Sequence, residues 1–238
     1  MIRPTAKSLG GTAIFLIADL AWLELTRPPR PELLLPWFGL LWVTGALVPG
    51  AANQVTLARA HLAAPALVYS IAPAKLLELA AVVTLAGVSD LVDGAVARRF
   101  EQPSRLGGAL DPVVDGIFFG AVAIGLVIGV SYPLWLAGLV VLRYALPAVA
   151  GGLLLLAGRR PALRHTPLGQ ASTLLIGIFL GGAALLRGLG SSSEGLLLTV
   201  AEVGIPLAVL ATFANLFWAN RRAVLGGWAG PVDFGRSR

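Results

Sequence analysis

Long apolar stretches, separated by short segments that contain charged residues, Pro or Gly, make up most of this chain. Eight of them run over residues 12–26, 33–50, 55–73, 75–95, 108–130, 133–157, 169–187 and 196–219. Most approach or exceed the roughly 20 residues that an α-helix needs to cross a bilayer. The pattern predicts an all-α integral membrane protein whose core is six transmembrane helices, formed by the last six stretches.

The first two stretches are weaker candidates for membrane spans. Residues 12–26 form a short stretch that contains Asp19 and Glu24, and Pro36 interrupts 33–50. They predict either a spanning hairpin or two segments that lie in the membrane interface. The predicted organisation is therefore an N-terminal hydrophobic region, a six-helix core and a cytoplasmic tail, at 1–52, 53–222 and 223–238 respectively.

The composition supports a membrane protein and excludes several other classes. Hydrophobic residues make up 57% of the chain and charged residues 13%, whereas about a quarter of the residues of soluble domains are charged. The sequence contains no Cys, which excludes a disulfide scaffold and a thiolate metal site.

The distribution of basic residues predicts the orientation in the membrane. The chain has 18 Lys and Arg against 12 Asp and Glu, a formal net charge of +6. A basic chain can bind nucleic acid, but in a membrane protein Lys and Arg collect in cytoplasmic loops. With the spans alternating, thirteen of the basic residues fall on one side and four on the other. We expect the protein in the cell or inner membrane, with the loop around 96–107 in the cytoplasm and no nucleic-acid partner.

Four aspartates stand on the two sides of that loop. Asp90 and Asp93 are three residues apart near the end of one predicted helix, and Asp111 and Asp115 are four apart near the start of the next. Both spacings place a pair of side chains on one helix face. Because the loop is short, we expect all four carboxylates to meet in one small volume near the membrane surface.

Such a cluster indicates a metal site. Acidic side chains inside a bilayer are costly and by default functional, and four adjacent carboxylates repel one another. Two divalent cations per site would balance their charge, and all-oxygen ligation favours Mg²⁺ or Mn²⁺. Taken singly, an Asp here is equally well explained as a helix cap or a solvated loop charge. Helix caps and solvated loop charges do not explain the four aspartates taken together.

Neighbouring residues suit a phosphate-bearing substrate. Gly94 follows Asp93 and allows close approach to the backbone, and Ala97 keeps the same helix end thin. Arg98 offers a planar fork to a phosphate group. Gly107 shares a helix stripe with Asp111 and Asp115. Metal ions that bridge a diphosphate would stabilise both the attacking and the leaving oxygen.

This segment resembles the signature of the CDP-alcohol phosphatidyltransferase family, D-x2-D-G-x2-A-R-x8-G-x3-D-x3-D. All eight specified positions are present with all spacings, at Asp90, Asp93, Gly94, Ala97, Arg98, Gly107, Asp111 and Asp115. Upstream, Asn53, Thr56 and Arg59 are similar to the family's Asn-x-x-Thr-x-x-Arg entrance to the first core helix. Downstream, residues 168–173 stand where many members have a loop with two lysines. The resemblance covers roughly residues 53–222.

The resemblance implies a reaction and a role for each matching residue. A CDP-linked lipid such as CDP-diacylglycerol would lose CMP as an alcohol hydroxyl attacks the phosphorus next to the lipid. The four aspartates would bind two Mg²⁺ or Mn²⁺ ions, and Asp115 would also be the general base. The cytidine and diphosphate site would be lined by Asn53, Thr56, Arg59, Gly94, Ala97, Arg98 and Gly107. Family members also tend to be homodimers, with membrane lipid around them.

The acceptor alcohol stays open. The segment 101–112 resembles the glycerophosphate and cardiolipin synthase branches, which implies glycerol 3-phosphate or phosphatidylglycerol; inositol phosphate, serine or another alcohol are the alternatives. Gly116, Tyr144, Gln170 and Ser172 depart from the charged residues of those branches. Candidate cations for an acceptor phosphate are Arg99, Arg105, Arg143, Arg159, Arg160 and Arg164. For Arg143, snorkelling or pairing with another helix is an equally good explanation.

Two other classes of function remain to be weighed. Membrane prenyltransferases also bind a diphosphate through Asp and Mg²⁺, but they need a second Asp motif on a distant helix, and the later stretches provide none. A divalent-cation transporter would also place carboxylates inside the bilayer. That hypothesis does not explain the glycines, Ala97 and Arg98 at fixed spacing from the aspartates.

Overall fold

The structure of the chain is a computed structural model that describes residues 4–29, 31–100, 105–130, 132–156 and 167–225. Within these ranges, the side chains of residues 51–52, 91–100, 105–109, 130, 151–152, 154–156, 167 and 222–225 are not described. Most of the predicted tail, from residue 226 onward, lies outside the described residues.

The described residues form eight α-helices and contain no β-strand. The helices are α1 (Ala6–Thr26), α2 (Leu35–Leu47), α3 (Ala51–Ile71), α4 (Leu76–Phe100), α5 (Arg105–Val130), α6 (Leu134–Leu156), α7 (Pro167–Gly188) and α8 (Glu194–Leu225). Each predicted apolar stretch coincides with one of them. The prediction of an all-α membrane fold is confirmed.

The first helix is longer than its apolar pattern predicts, because a cap starts it before the apolar stretch begins. The Thr5 side chain accepts a hydrogen bond from the Ser8 backbone N–H at 3.1 Å, and the Ser8 hydroxyl accepts one from the Thr5 N–H at 2.9 Å. This reciprocal pair satisfies two backbone donors at the helix start. The resulting helix of 21 residues is long and apolar enough to cross a membrane.

Three further described segments meet the same requirement of length and apolar character: Leu110–Gly129, Leu168–Gly188 and Glu194–Arg221. α2 has 13 residues, and at about 1.5 Å per residue it is shorter than a bilayer core of about 30 Å. α3 has the length of a span, but Asn53, Gln54, Arg59 and His61 make it too polar to be recognised by hydropathy.

α3 is the central helix of the described bundle. It packs against α4 and α5 on one side and against the hairpin of α1 and α2 on the other. α4 also packs against α7, and α5 packs against α6. α8 completes the bundle by packing against α6 and α7. Fully buried side chains from α4 to α8 form the core between them: Leu79, Phe118, Leu136, Ile176 and Ile205.

Small residues let α3 and α5 approach closely. On α3 the small residue is Ser70, which lies against Gly125, and on α5 they are Gly125 and Gly129. A Cβ on Gly129 would overlap the backbone carbonyl oxygens of Ser70 and Ile71, which cannot rotate away. Close backbone contact of this kind is the usual way in which helices associate in a bilayer. Lipid tails are as apolar as the helix surfaces, so the hydrophobic effect does not favour contact between helices over contact with lipid.

We predict that Gly129→Ala lowers the unfolding temperature of the detergent-solubilised protein, because its methyl group forces α3 and α5 apart. Overpacking of this kind costs about 1–3 kcal/mol. The matched control is Gly120→Ala in the same helix, where a Cβ meets nothing within 4 Å. There the better helix propensity of Ala, about 1 kcal/mol, leaves stability unchanged or higher. Equal unfolding temperatures for the two variants would contradict the close α3–α5 contact.

Candidate active site

Arg59 of α3 lies at the centre of the candidate site and binds carboxylates from two other helices. Its Nη1 donates to Oδ1 of Asp90 on α4 at 2.6 Å and to Oδ1 of Asp115 on α5 at 2.5 Å. Its Nη2 is 3.7 Å from Oδ1 of Asp111, also on α5. Only 3% of the Arg59 side chain is exposed. One cation therefore joins three of the four predicted aspartates.

Thr56 lies on the same face of α3 as Arg59, because the two are three residues apart. Its hydroxyl donates to Oδ1 of Asp111 at 2.8 Å. Asp111 and Asp115 share a face of α5, as their spacing predicts, and both contact α3. The site is thus built where α3, α4 and α5 meet.

The three described aspartates differ in their access to the surroundings. The exposed fraction of the side chain is 51% for Asp90, 33% for Asp111 and 8% for Asp115. The site therefore has an open, exposed end at Asp90 and a closed, buried end at Asp115. A group at the closed end is separated from bulk water, whereas the groups at the open end are accessible to it.

The donor chemistry of the site fits a hard cation. Carboxylate oxygens are the ligands that Mg²⁺ and Mn²⁺ prefer. Among the described residues, however, no three His, Cys, Asp or Glu side chains form a group that could hold a metal ion. In this structure the described carboxylates contact Arg59, and the side chain of Asp93 is not described.

Asn53, a predicted nucleotide-site residue, contacts the segment that precedes α3. Its Nδ2 donates to the Pro49 carbonyl oxygen at 2.6 Å. Its neighbour Gln54, which the sequence analysis did not single out, donates through Nε2 to the carbonyls of Gly45 and Val48, each at 2.8 Å. Both side chains fix the turn between α2 and α3, which sets where α3 begins.

Several predicted site residues lie outside the part of the chain that the structure describes in full. In α4, four predicted site residues besides Asp93 have side chains that are not described, namely Gly94, Ala97, Arg98 and Arg99. The same holds in α5 for Arg105 and Gly107. Arg159, Arg160 and Arg164 lie wholly outside the described residues. Their predicted roles stay predictions.

Arg143 of α6 is buried and bonded to α7. Its Nε donates to the Ser172 hydroxyl at 2.7 Å, and its Nη2 donates to the Gly169 carbonyl at 2.8 Å and the Thr173 hydroxyl at 2.9 Å. These partners are neutral, and no carboxylate of the described residues forms an ion pair with Arg143. Pairing with a neighbouring helix, one of the two explanations that the sequence left open, is what the structure contains.

Tyr144 packs beside the aspartate at the closed end of the site. A Cβ on Gly116, the residue after Asp115, would lie 2.8 Å from the Tyr144 Cβ. The Tyr144 ring stacks on Phe119 with 6.0 Å between centroids, and the Arg143 guanidinium lies 4.4 Å from its centre. Gly116 and Tyr144, which both depart from the family's charged residues, therefore form one contact between α5 and α6.

Comparison with known proteins agrees with the sequence signature. A family model described as CDP-alcohol phosphatidyltransferase matches residues 50–215, more than half of the chain. A cardiolipin synthase (CMP-forming) of Streptomyces coelicolor is 39% identical over 92 residues, which are 39% of this chain and 42% of that protein. A putative cardiolipin synthase of Mycobacterium tuberculosis is 40% identical over 111 residues, 45% of this chain and 50% of that protein.

A third relative gives a similar match. A probable cardiolipin synthase (CMP-forming) of Drosophila melanogaster is 37% identical over 92 residues, 38% of this chain and 28% of that protein. The matched region spans half or less of the length of each of these three relatives.

We predict that Arg59→Gln lowers the unfolding temperature in EDTA, because three carboxylates then face one another without their shared cation. Added Mn²⁺ should raise the unfolding temperature of this variant more than that of the unmodified protein, since Arg59 no longer competes for the oxygens.

The control for this prediction is Arg187→Gln. It breaks an exposed pair with Glu194, in which Nη1 and Oε1 are 3.2 Å apart, and such pairs contribute little to stability. An Arg59→Gln protein with unchanged stability in EDTA and an unchanged response to Mn²⁺ would contradict the central role of Arg59.

Proposed function

This chain belongs to the CDP-alcohol phosphatidyltransferase family, and we propose that it transfers a phosphatidyl group from a CDP-linked lipid to the hydroxyl of an acceptor alcohol, with release of CMP. CDP-diacylglycerol is the proposed donor. The observation that carries the proposal is the convergence of Asp90, Asp111 and Asp115 on Arg59, because three of the signature's acids then meet in one place.

The aspartates are the proposed ligands of two Mg²⁺ or Mn²⁺ ions. Asp90 and Asp111 are partly exposed and Asp93 follows Asp90 by one helical turn, so a diphosphate at the open end of the site would meet them. When bound, the ions would neutralise the diphosphate charge and lower the pKa of a coordinated hydroxyl. Arg59 would then be free to exchange its carboxylate partners for a phosphate oxygen, which accords with its expected place in the nucleotide site.

Asp115 is the proposed general base. The acceptor oxygen forms a bond to the phosphorus next to the lipid, the bond from that phosphorus to the CMP oxygen breaks, and CMP leaves with the electron pair. The acceptor proton passes to the Asp115 carboxylate, which is the most buried of the three and therefore best protected from water. Exclusion of water favours transfer to the alcohol over hydrolysis of the donor.

The distribution of charges supports one orientation of the site in the membrane. We propose that the end of the bundle where α3 and α5 begin faces the cytoplasm, because most of the Lys and Arg fall on that side. CMP then leaves into the cytoplasm while the lipid tails of the donor stay in the bilayer. The resemblance also implies a homodimer, which native mass spectrometry of the purified protein would test.

Phosphatidylglycerol is the acceptor that we favour over glycerol 3-phosphate, inositol phosphate or serine. The three relatives described above carry the name cardiolipin synthase, and phosphatidyl transfer to phosphatidylglycerol yields cardiolipin. Arg143 supports an acceptor with a phosphate group: it is a buried cation whose described bonds are to neutral groups, and burial of a cation favours an anionic ligand. The prenyltransferase and transporter hypotheses gain no support from the comparisons.

We predict that Asp115→Asn and Asp90→Asn each lower CMP release from labelled CDP-diacylglycerol with Mg²⁺ by about 100-fold or more, the size of effect expected for a lost general base or a damaged metal site. The control is Glu78→Gln, which removes an exposed carboxylate that pairs with Lys75 at 2.8 Å at the far end of α4. Full activity of Asp115→Asn, with normal donor binding, would exclude this residue as the base.

For the acceptor we predict that Arg143→Lys raises the KM of the acceptor while the KM of CDP-diacylglycerol stays the same, because Lys lacks the planar fork of Arg. Phosphatidylglycerol, glycerol 3-phosphate, inositol phosphate and serine are compared as acceptors in the same assay. Preference for one of the last three would exclude phosphatidylglycerol as the substrate. An equal change in both KM values would mean that Arg143 only holds α6 to α7.

A further inference from the structure

α3 carries two separate polar faces although it lies inside the bundle. Successive residues of an α-helix are about 100° apart, so His61 lies about 200° around the helix from Arg59. Gln54 and His61 are seven residues apart and share one face, while Thr56 and Arg59 share another. Thr56 and Arg59 contact the aspartates, whereas Gln54 and His61 face the hairpin of α1 and α2.

A buried polar cluster joins His61 to that hairpin. Nδ1 of His61 is 2.7 Å from Oδ2 of Asp19 on α1, and Nε1 of Trp42 on α2 donates to the same oxygen at 2.8 Å. Asp19 and His61 are both among the buried residues. The His61 ring also stacks on Phe15, with 4.7 Å between centroids. A carboxylate in an apolar bundle is tolerated only with such partners, so this contact fixes how α3 is rotated relative to the hairpin.

Gln54 repeats the arrangement two turns earlier on the same face. It donates to the carbonyls of Gly45 and Val48 at the end of α2. Gly11 of α1 lies so close that a Cβ there would be 2.8 Å from Oε1 of Gln54. Ser8 of α1 in turn donates to the Ala46 carbonyl at 2.8 Å. The hairpin is therefore attached to α3 at the level of the site and not only at its far end.

We propose that the hairpin of α1 and α2, which precedes the region that the family model matches, is a positioning element for the site. Through Asp19 and His61 it holds α3 at the rotation that aims Arg59 at Asp90 and Asp115. His61 and Asp19 are positioning residues that touch no substrate. The proposal rests on the proposed function only in taking the aspartates as the active site, and its test needs no turnover.

The test is a double-mutant cycle on the unfolding temperature of the purified full chain in EDTA. His61→Leu and Arg59→Gln are made singly and together. If His61 acts through Arg59, the loss in the double variant is smaller than the sum of the two single losses, because coupled residues are not additive. The control is Trp22→Phe, which removes the hydrogen bond from Trp22 Nε1 to the Tyr69 hydroxyl, 2.7 Å long, a contact between the same hairpin and α3 that lies ten residues along α3 from Arg59. Its loss should add to that of Arg59→Gln.

A second readout distinguishes positioning from general stability. His61→Leu should weaken the contact of Arg59 with the aspartates, so that Arg59 competes less with Mn²⁺ for their oxygens. The Mn²⁺ concentration that gives half of the thermal stabilisation should therefore fall by at least about twofold, which corresponds to the weakest coupling expected between residues of one network. Trp22→Phe should leave that concentration unchanged. His61→Asn, whose amide can still donate to Asp19, should restore the original value. If His61→Leu does not fold, Asp19→Asn, which keeps the size of the side chain, replaces it in both measurements.

Additive losses for His61→Leu and Arg59→Gln would overturn the proposal, as would equal effects of His61→Leu and Trp22→Phe on the response to Mn²⁺. If the unmodified protein releases no CMP, the proposed reaction fails, and the cycle in EDTA still decides whether the hairpin positions Arg59. If unfolding does not respond to Mn²⁺ at all, the metal assignment fails and the cycle alone decides.

Discussion

The ion cluster around Arg59 is the interaction on which the site depends. Three carboxylates from α4 and α5 converge at one place in an apolar bundle, and they do so around one guanidinium contributed by α3. Without a cation, their mutual repulsion and desolvation would drive them apart or make them bind protons. With the acids ionised, the three helices can therefore meet in this way only if a positive charge is present, whether it belongs to the protein or to a ligand.

Much of the fold follows from the apolar pattern, and its underestimate of the first helix has a physical reason. Each of eight apolar stretches became a helix, because a chain inside a bilayer must satisfy its own backbone hydrogen bonds. The predicted first stretch was shorter than the helix because only hydropathy defined its bounds. In the structure the helix starts at Ala6, where the capping pair of Thr5 and Ser8, rather than apolar side chains, determines its beginning.

The site was less predictable than the fold. The spacing of the aspartates predicted their shared faces, and the resemblance pointed to Thr56 and Arg59, but not to a direct bond between Arg59 and the acids. The sequence showed Asp19 as a charge in an apolar stretch but gave no sign of its contact with His61, since the two residues are 42 positions apart. In a membrane protein both the lipid-facing and the core-facing side chains are apolar, so periodicity does not show which helix lies opposite which face.

The glycines of α5 close the space between α3 and α5 at one level of the bundle. With Gly129 against the carbonyl oxygens of Ser70 and Ile71, the two helices lie too close there to admit a fatty acyl chain between them. At that level, the hydrocarbon tails of the proposed lipid donor would have to lie along another groove of the bundle. Larger side chains at Gly125 and Gly129 would destabilise the packing of α3 against α5 without creating a further route from the bilayer into the bundle.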